Sequence, residues 1–274
     1  MDKNTPKIIV ISGCDRTGKA TQTEILTRLL NLGGIPAIRL ETPTYDTPIS
    51  KLMGAMLDGA AFEMKGAYPL DRLNTQKYKN DLRFKMNKSD GLGVLRGGDF
   101  YGAIRKGGPS MIYQLLAIAH YFEVQPSIAE ALSEGKMVIC DRYCIDSYIY
   151  GRVDCGDIDW IIDAQRSLIQ PDIEIILDSS GYERAGEMPD DNEKRADFQK
   201  ACRGSALHLA DKYGWNVVYC DRKYNFPDDD SIDVKTTTVK YIQDEIHNIL
   251  FAHGIQMTVD QNLIWKVVGE VLGS

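Results

Sequence analysis

Apolar and polar positions alternate in blocks along the chain, and the blocks change period. Short apolar runs at Ile8–Ile11, Met137–Cys140 and Ile173–Leu177 predict buried strands, and Ala37–Leu40 and Val217–Cys220 bring the set to about five. Between them the period is helical. Ile25, Leu26, Leu29 and Leu30 share one face of a helix that Gly33-Gly34 ends. Ile49–Leu57, Met111–Leu132 with a break or kink at Pro126, Cys144–Tyr150, Ile158–Leu168, Asp191–Tyr213 and Lys235–Leu250 continue the alternation. Strands alternating with helices predict one parallel sheet with helices on both faces, joined by right-handed crossovers. A stripe of Val259, Leu263, Ile264, Val267, Val268, Val271 and Leu272 adds a C-terminal helix at about 258–272. It is expected to pack on its own domain, with a dimer contact as the alternative. No internal repeat or Pro/Ser-rich linker divides residues 1–274, so a single α/β domain is expected.

The join between the first strand and the first helix carries the most specific chemistry. It reads Gly13-Cys14-Asp15-Arg16-Thr17-Gly18-Lys19-Ala20-Thr21-Gln22. Strand, glycine-bounded loop and helix are the context a phosphate-binding loop requires, which makes the fold one of the P-loop NTPase type. The glycines let backbone N–H groups close around phosphate oxygens, the helix N-terminus favours an anion, and Lys19 supplies a mobile point charge. Residues Gly13 to Thr21 are therefore the expected ATP cradle. One position departs from the pattern: Ala20 stands where a hydroxyl normally meets magnesium. Thr21 lies roughly 100° further round the helix and is no simple substitute. An ordinary glycine-containing turn is the bland alternative.

At the end of the third strand sit Asp141-Arg142-Tyr143. A carboxylate there is placed to hold magnesium, directly or through water, and an arginine beside it offers a planar fork to a phosphate. The competing reading of Asp141 is a strand-end salt bridge. The segment from Tyr182 to Arg203 is basic and polar. It reads either as a lid over nucleotide phosphates, with Arg184 and Arg195 in it, or as an exposed helix of paired charges.

Charge changes the picture in one stretch. The chain carries a net charge of −7, which argues against a surface that binds nucleic acid throughout. Residues 62–108 nevertheless hold about five more bases than acids, with Tyr78, Phe84, Phe100 and Tyr101 among them and many glycines after Gly91. This insertion reads as a solvated loop, an anion-binding lid, or a surface for nucleic acid, the last not favoured. No run approaches the roughly 20 apolar residues of a membrane helix, and Met1–Pro6 show no signal-peptide character. Six cysteines without a C-x-x-C pair and four histidines without ligand spacing point to free thiols in a reducing cytoplasm and to no zinc site.

Taken together, the motifs resemble those of the thymidylate kinase family. Gly13–Gln22 resembles its G-x-D-R-x-G-K-[ST]-T-Q loop, and Asp141-Arg142-Tyr143 with Ser147 and Tyr150 resembles its D-R-Y-x-x-x-S-x-x-[YF] signature. Pro171-Asp172-Ile173 to Leu177-Asp178 is similar to its P-D-L-x-x-x-L-D strand, with Trp160 preceding it. The resemblance implies transfer of the ATP γ-phosphate to a deoxynucleoside 5′-monophosphate, with magnesium, in a homodimer. It implies that Arg16 and Lys19 act on the transferring phosphate, Arg142 grips the acceptor phosphate, Asp15 holds the sugar or the acceptor geometry, and Tyr150 stacks under the deoxyribose. The acceptor is already ionised, so no general base is required.

The departures cluster on the side of the acceptor base. Alignment on the family's L-L-F-x-A-x-R places Ala117 at its stacking phenylalanine and Tyr121 at its base-contacting arginine. Thr42-Pro43-Thr44-Tyr45 matches F-P-x-Y poorly, with Thr42 in place of Phe and Thr44 in place of a usual Arg, and the resemblance implies Tyr45 as a substrate-binding residue. Loss of a stacked aromatic forfeits about 1–3 kcal/mol. The acceptor is thus expected to be dTMP or a related, 5-modified pyrimidine. A kinase acting on a nucleotide within DNA and a non-catalytic nucleotide-binding protein are the alternatives.

Overall fold

The computed structural model describes residues 5–44, 46–57, 108–156, 158–179, 196–221 and 234–273. Its strands are β1 (Ile8–Gly13), β2 (Ala37–Glu41), β3 (Met137–Asp141), β4 (Ile173–Asp178) and β5 (Asn216–Tyr219). Its helices are α1 (Lys19–Leu32), α2 (Pro48–Leu57), α3 (Gly108–Ser133), α4 (Cys144–Cys155), α5 (Asp159–Ala164), α6 (Ala196–Tyr213), α7 (Val234–Ala252) and α8 (Gln261–Leu272). The five strands form one parallel sheet in the order β2-β3-β1-β4-β5. β1 is the central strand, and all six of its residues are buried.

Because side chains alternate along a strand, each buried strand feeds two cores. Ile8, Val10, Val138, Cys140 and Ile176 face a layer made by α3, α4, α5 and α6. Ile9, Ile11, Met137, Ile139, Ile173 and Ile175 face a layer made by α1, α7 and α8. The expected three-layer fold follows directly from these two sets. The C-terminal helix packs on its own chain: Ile264, Val267 and Val268 are fully buried against α1 and α7. Its N-cap is Asp260, whose side chain accepts from Leu263 N at 2.7 Å.

Three helices differ from expectation, the first being α4, which continues past Tyr150 to Cys155. α3 runs unbroken through Pro126. Proline removes one N–H and so frees the Phe122 carbonyl, and Phe122 and Pro126 both lie on the exposed side of the helix. α5 is shorter than Ile158–Leu168, stopping at Ala164. Its last turn tightens, with Gln165 N donating to both Ile161 O and Ile162 O and Arg166 N donating to Asp163 O. The 62–108 insertion lies outside the described residues, apart from the start of α3.

Candidate active site

Parallel sheets place ligand crevices at the carboxyl ends of their strands, and the chemistry-bearing residues collect there. Gly13 ends β1 with φ 146°, and a Cβ on it would collide with the main-chain oxygen of Leu177 in β4. Only glycine lets the loop leave the sheet this closely. Arg16 adopts φ 63° and Gly18, the N-cap of α1, φ 88°, so the loop wraps through two left-handed turns. The first turn of α1 has no side-chain cap and no acidic residue. Its N–H groups thus remain for an anion.

Lys19 is buried and folds back on the loop, donating from Nζ to Cys14 O at 2.6 Å. Thr17 Oγ1 donates to the same oxygen at 3.0 Å. Burial, aided by the charge of Arg142, pulls the Lys19 ammonium down to about 8. Cys14 is the reverse case: burial pushes its thiol up to about 11, so it is no thiolate nucleophile.

Arg142 is the hub of the site. It follows β3 with φ 65°, held by a bond from its own N to Ile11 O at 3.1 Å. Its guanidinium reaches Asp15 Oδ1 at 2.6 Å, Asp146 Oδ1 at 3.0 Å and the Tyr150 hydroxyl at 3.2 Å. Burial alone would loosen its proton, but Tyr150, Asp146 and Asp15 together hold its pKa above the ordinary value. Burial likewise works against the Asp15 charge, and Arg142 and Lys19 overcome it, so that carboxyl lies below the usual range. Burial keeps Asp146 above the usual range despite Arg142 and Ser12 beside it.

Two members of this network escape the motif reading. Asp146 joins Arg142 to the central strand, accepting from Ser12 Oγ at 2.8 Å and from Tyr143 N at 3.3 Å. The i, i+4 spacing of Arg142 and Asp146 is its sequence signal. Gln199 in α6 donates to Asp15 Oδ2 at 2.8 Å, across 184 positions of chain, and no local pattern announces it. Arg203, one turn further on, leaves the expected lid set. It grips Asp178 at the end of β4 with two bonds of 2.6 and 2.8 Å.

The structure therefore brings Gly13 to Thr21, Arg142 and Tyr150 together at one end of the sheet. On the base side the picture differs. Ala117 and Tyr121 belong to the core beneath α3, exposed by only 4% and 5%. The Tyr121 ring meets Tyr143 edge-on at 5.3 Å, and Ser147 Oγ donates to its hydroxyl at 3.3 Å. Tyr121 thus fills space rather than presenting a fork to solvent. Tyr45, Arg184 and Arg195 lie outside the described residues.

Asp141 takes the strand-end salt bridge. Its Oδ2 pairs with Arg39 Nη2 of β2 at 2.8 Å, and Arg39 Nε is tied to Thr23 Oγ1 of α1 at 2.9 Å. The Asp141 side chain is 7% exposed. Ala20 offers a methyl group where a hydroxyl would stand, and no cluster of three potential metal-ligating side chains occurs among the described residues. This donor set does not fit a magnesium ion anchored by protein ligands.

Comparison with known proteins agrees with the motifs. A family model described as thymidylate kinase matches residues 105–226. A probable thymidylate kinase of Thermococcus kodakarensis is 25% identical over 210 residues, spanning 75% of this chain and 84% of its own. The thymidylate kinase of Dictyostelium discoideum is 22% identical over 217 residues, 78% of each chain. Among solved structures, a thymidylate kinase from Candida albicans superposes with a TM-score of 0.58 at 19% identity, over 93% of this chain and 96% of that one, which supports the fold. In its motifs, its sequence relatives and its sheet, the chain resembles the thymidylate kinase family.

Proposed function

We propose that the protein is an ATP-dependent nucleoside monophosphate kinase whose acceptor is a deoxynucleoside 5′-monophosphate, dTMP first. The observation that carries this reading is the Arg142 guanidinium, fixed by Asp15, Asp146 and Tyr150 beside an open phosphate loop. A protein that merely bound ATP would not need a second, preorganised phosphate fork next to the first.

The chemistry follows from position. The loop N–H groups and the N-terminus of α1 hold the donor phosphates. Arg142 holds the acceptor phosphate, whose ionised oxygen attacks the terminal phosphorus of ATP, while the bond to the leaving ADP oxygen breaks. Lys19 turns from Cys14 O to the transferring group, and Arg16 adds a second positive charge as negative charge spreads over its oxygens. Asp15 and Tyr150 keep the Arg142 fork aimed and border the acceptor sugar. No residue has to remove a proton.

The test is ADP formation with dTMP, dUMP, dCMP and 5-substituted pyrimidine monophosphates. Turnover of dTMP is expected, and Arg142→Gln should cut kcat/KM for the acceptor about 10²–10³-fold while ATP still binds. ATP binding without consumption of any monophosphate would overturn the assignment.

A further inference from the structure

The pairing of Asp141 bears on how a metal ion can enter this site. In a phosphate loop with a hydroxyl after its lysine, that hydroxyl and a strand-end carboxylate are the protein's hold on magnesium. Here neither is offered in that form. Position 20 is alanine. Asp141 is committed instead to a clamp that spans three elements: Arg39 from β2 holds the carboxylate of β3 at 2.8 Å and the Thr23 hydroxyl of α1 at 2.9 Å. A further 3.6 Å contact runs from Arg39 to Glu41. Arg39 and Asp141 are cross-strand partners offset by two positions in the β2–β3 register, so the ladder itself holds them in reach.

From this we infer that neither position 20 nor the β3 strand end supplies a metal anchor, and that Arg39–Asp141 is a structural clamp seating α1 on the sheet. A divalent ion arrives held by ATP phosphate oxygens and water. Magnesium suits this mode, because it gives up its waters reluctantly and keeps several of them when bound. The Arg39 charge pairs with the β3 strand-end carboxylate that would otherwise compete for the ion. The inference rests on the nucleotide-site reading above, and its test separates the two.

The test measures ATP binding by calorimetry in excess Mg2+ and in EDTA, for the native chain and for Asp141→Asn. The ratio of the two affinities is expected to be the same in both proteins to within about threefold, whereas a protein-held ion would lose about 10–100-fold with its ligand. A Mg2+-dependent gain in affinity that disappears in Asp141→Asn would overturn the inference and leave the nucleotide site standing. Failure of ATP to bind under either condition would overturn the nucleotide site, and the inference with it. Thermal unfolding supplies the second readout, without nucleotide. Arg39→Gln and Asp141→Asn should each lower the midpoint, and the double variant should fall no further than the lower single variant. Additive losses would overturn the clamp.

Discussion

Arg142, at the end of β3, reaches across to Asp15 in the phosphate loop, with Nη2 and Oδ1 2.6 Å apart. The two residues follow neighbouring strands of the sheet, β1 and β3, and belong to the two most specific motifs of the chain. Their contact turns two separate sequence signals into one site. Asp146 secures the other side of the same guanidinium and ties it through Ser12 to the middle of the sheet.

That arrangement makes Asp146 costlier to remove than Ser12, its partner on the central strand. Asp146→Ala would leave Arg142 short of one partner and strand the fully buried Ser12 hydroxyl. Breaking a buried charge pair costs about 3–5 kcal/mol. Ser12→Ala, which removes one neutral donor, should cost about 1 kcal/mol. Urea denaturation of the two variants should show this order, and equal losses would contradict it.

Lys19 predicts a pH dependence with a definite sign. Its ammonium is pulled down to about 8 in the free protein. An arriving phosphate anion favours the charged form and raises that value, so nucleotide binding takes up a proton. At pH 8 the uptake approaches about half a proton, and it vanishes towards pH 6.5. Affinity for ATP should therefore decline as pH climbs above about 8. Calorimetry in two buffers of different ionisation heat measures the uptake directly. Lys19→Arg, which stays charged throughout, should abolish it.

The two loop glycines should respond differently to the same substitution. Gly18 at φ 88° has open space where a Cβ would go, so Gly18→Ala meets only backbone strain of about 1–2 kcal/mol. Gly13 has the Leu177 carbonyl in that place, and main chain of a buried strand cannot move aside. Gly13→Ala should cost at least about twice as much and abolish ATP binding, whereas Gly18→Ala should retain folding. Melting temperatures and ATP titrations of both variants test this.

The sequence made the sheet legible because its strands are nearly pure apolar runs, which fit only a two-sided burial. Residues 13–21, Arg142 and Tyr150 were legible because each sits in a short motif whose chemistry needs that spacing. Gln199 and Arg39 were not, since they reach the site across the fold rather than along the chain. Asp141 shows the limit most sharply. A strand-end carboxylate looks the same in sequence whether it awaits a cation or already has one. The β2–β3 register supports the second reading, by setting Arg39 beside it. Tyr121 misleads for a related reason: alignment gives it a position on α3, but its bulk and single hydroxyl let it settle into the core against Tyr143.

The hydrogen-bonded pairing of β1 with β3, from Ile8–Val138 to Ile11–Asp141, carries one more consequence. The loop that would hold the donor grows from β1, and the arginine that would hold the acceptor grows from β3. Adjacent strands lie about 4.8 Å apart. The sheet therefore acts as a fixed gauge between the two cradles, with no hinge between them to adjust. In the proposed reaction it is the nucleotides that must conform to that gauge. A substrate that is too long or too short for it would bind out of line and fail to react.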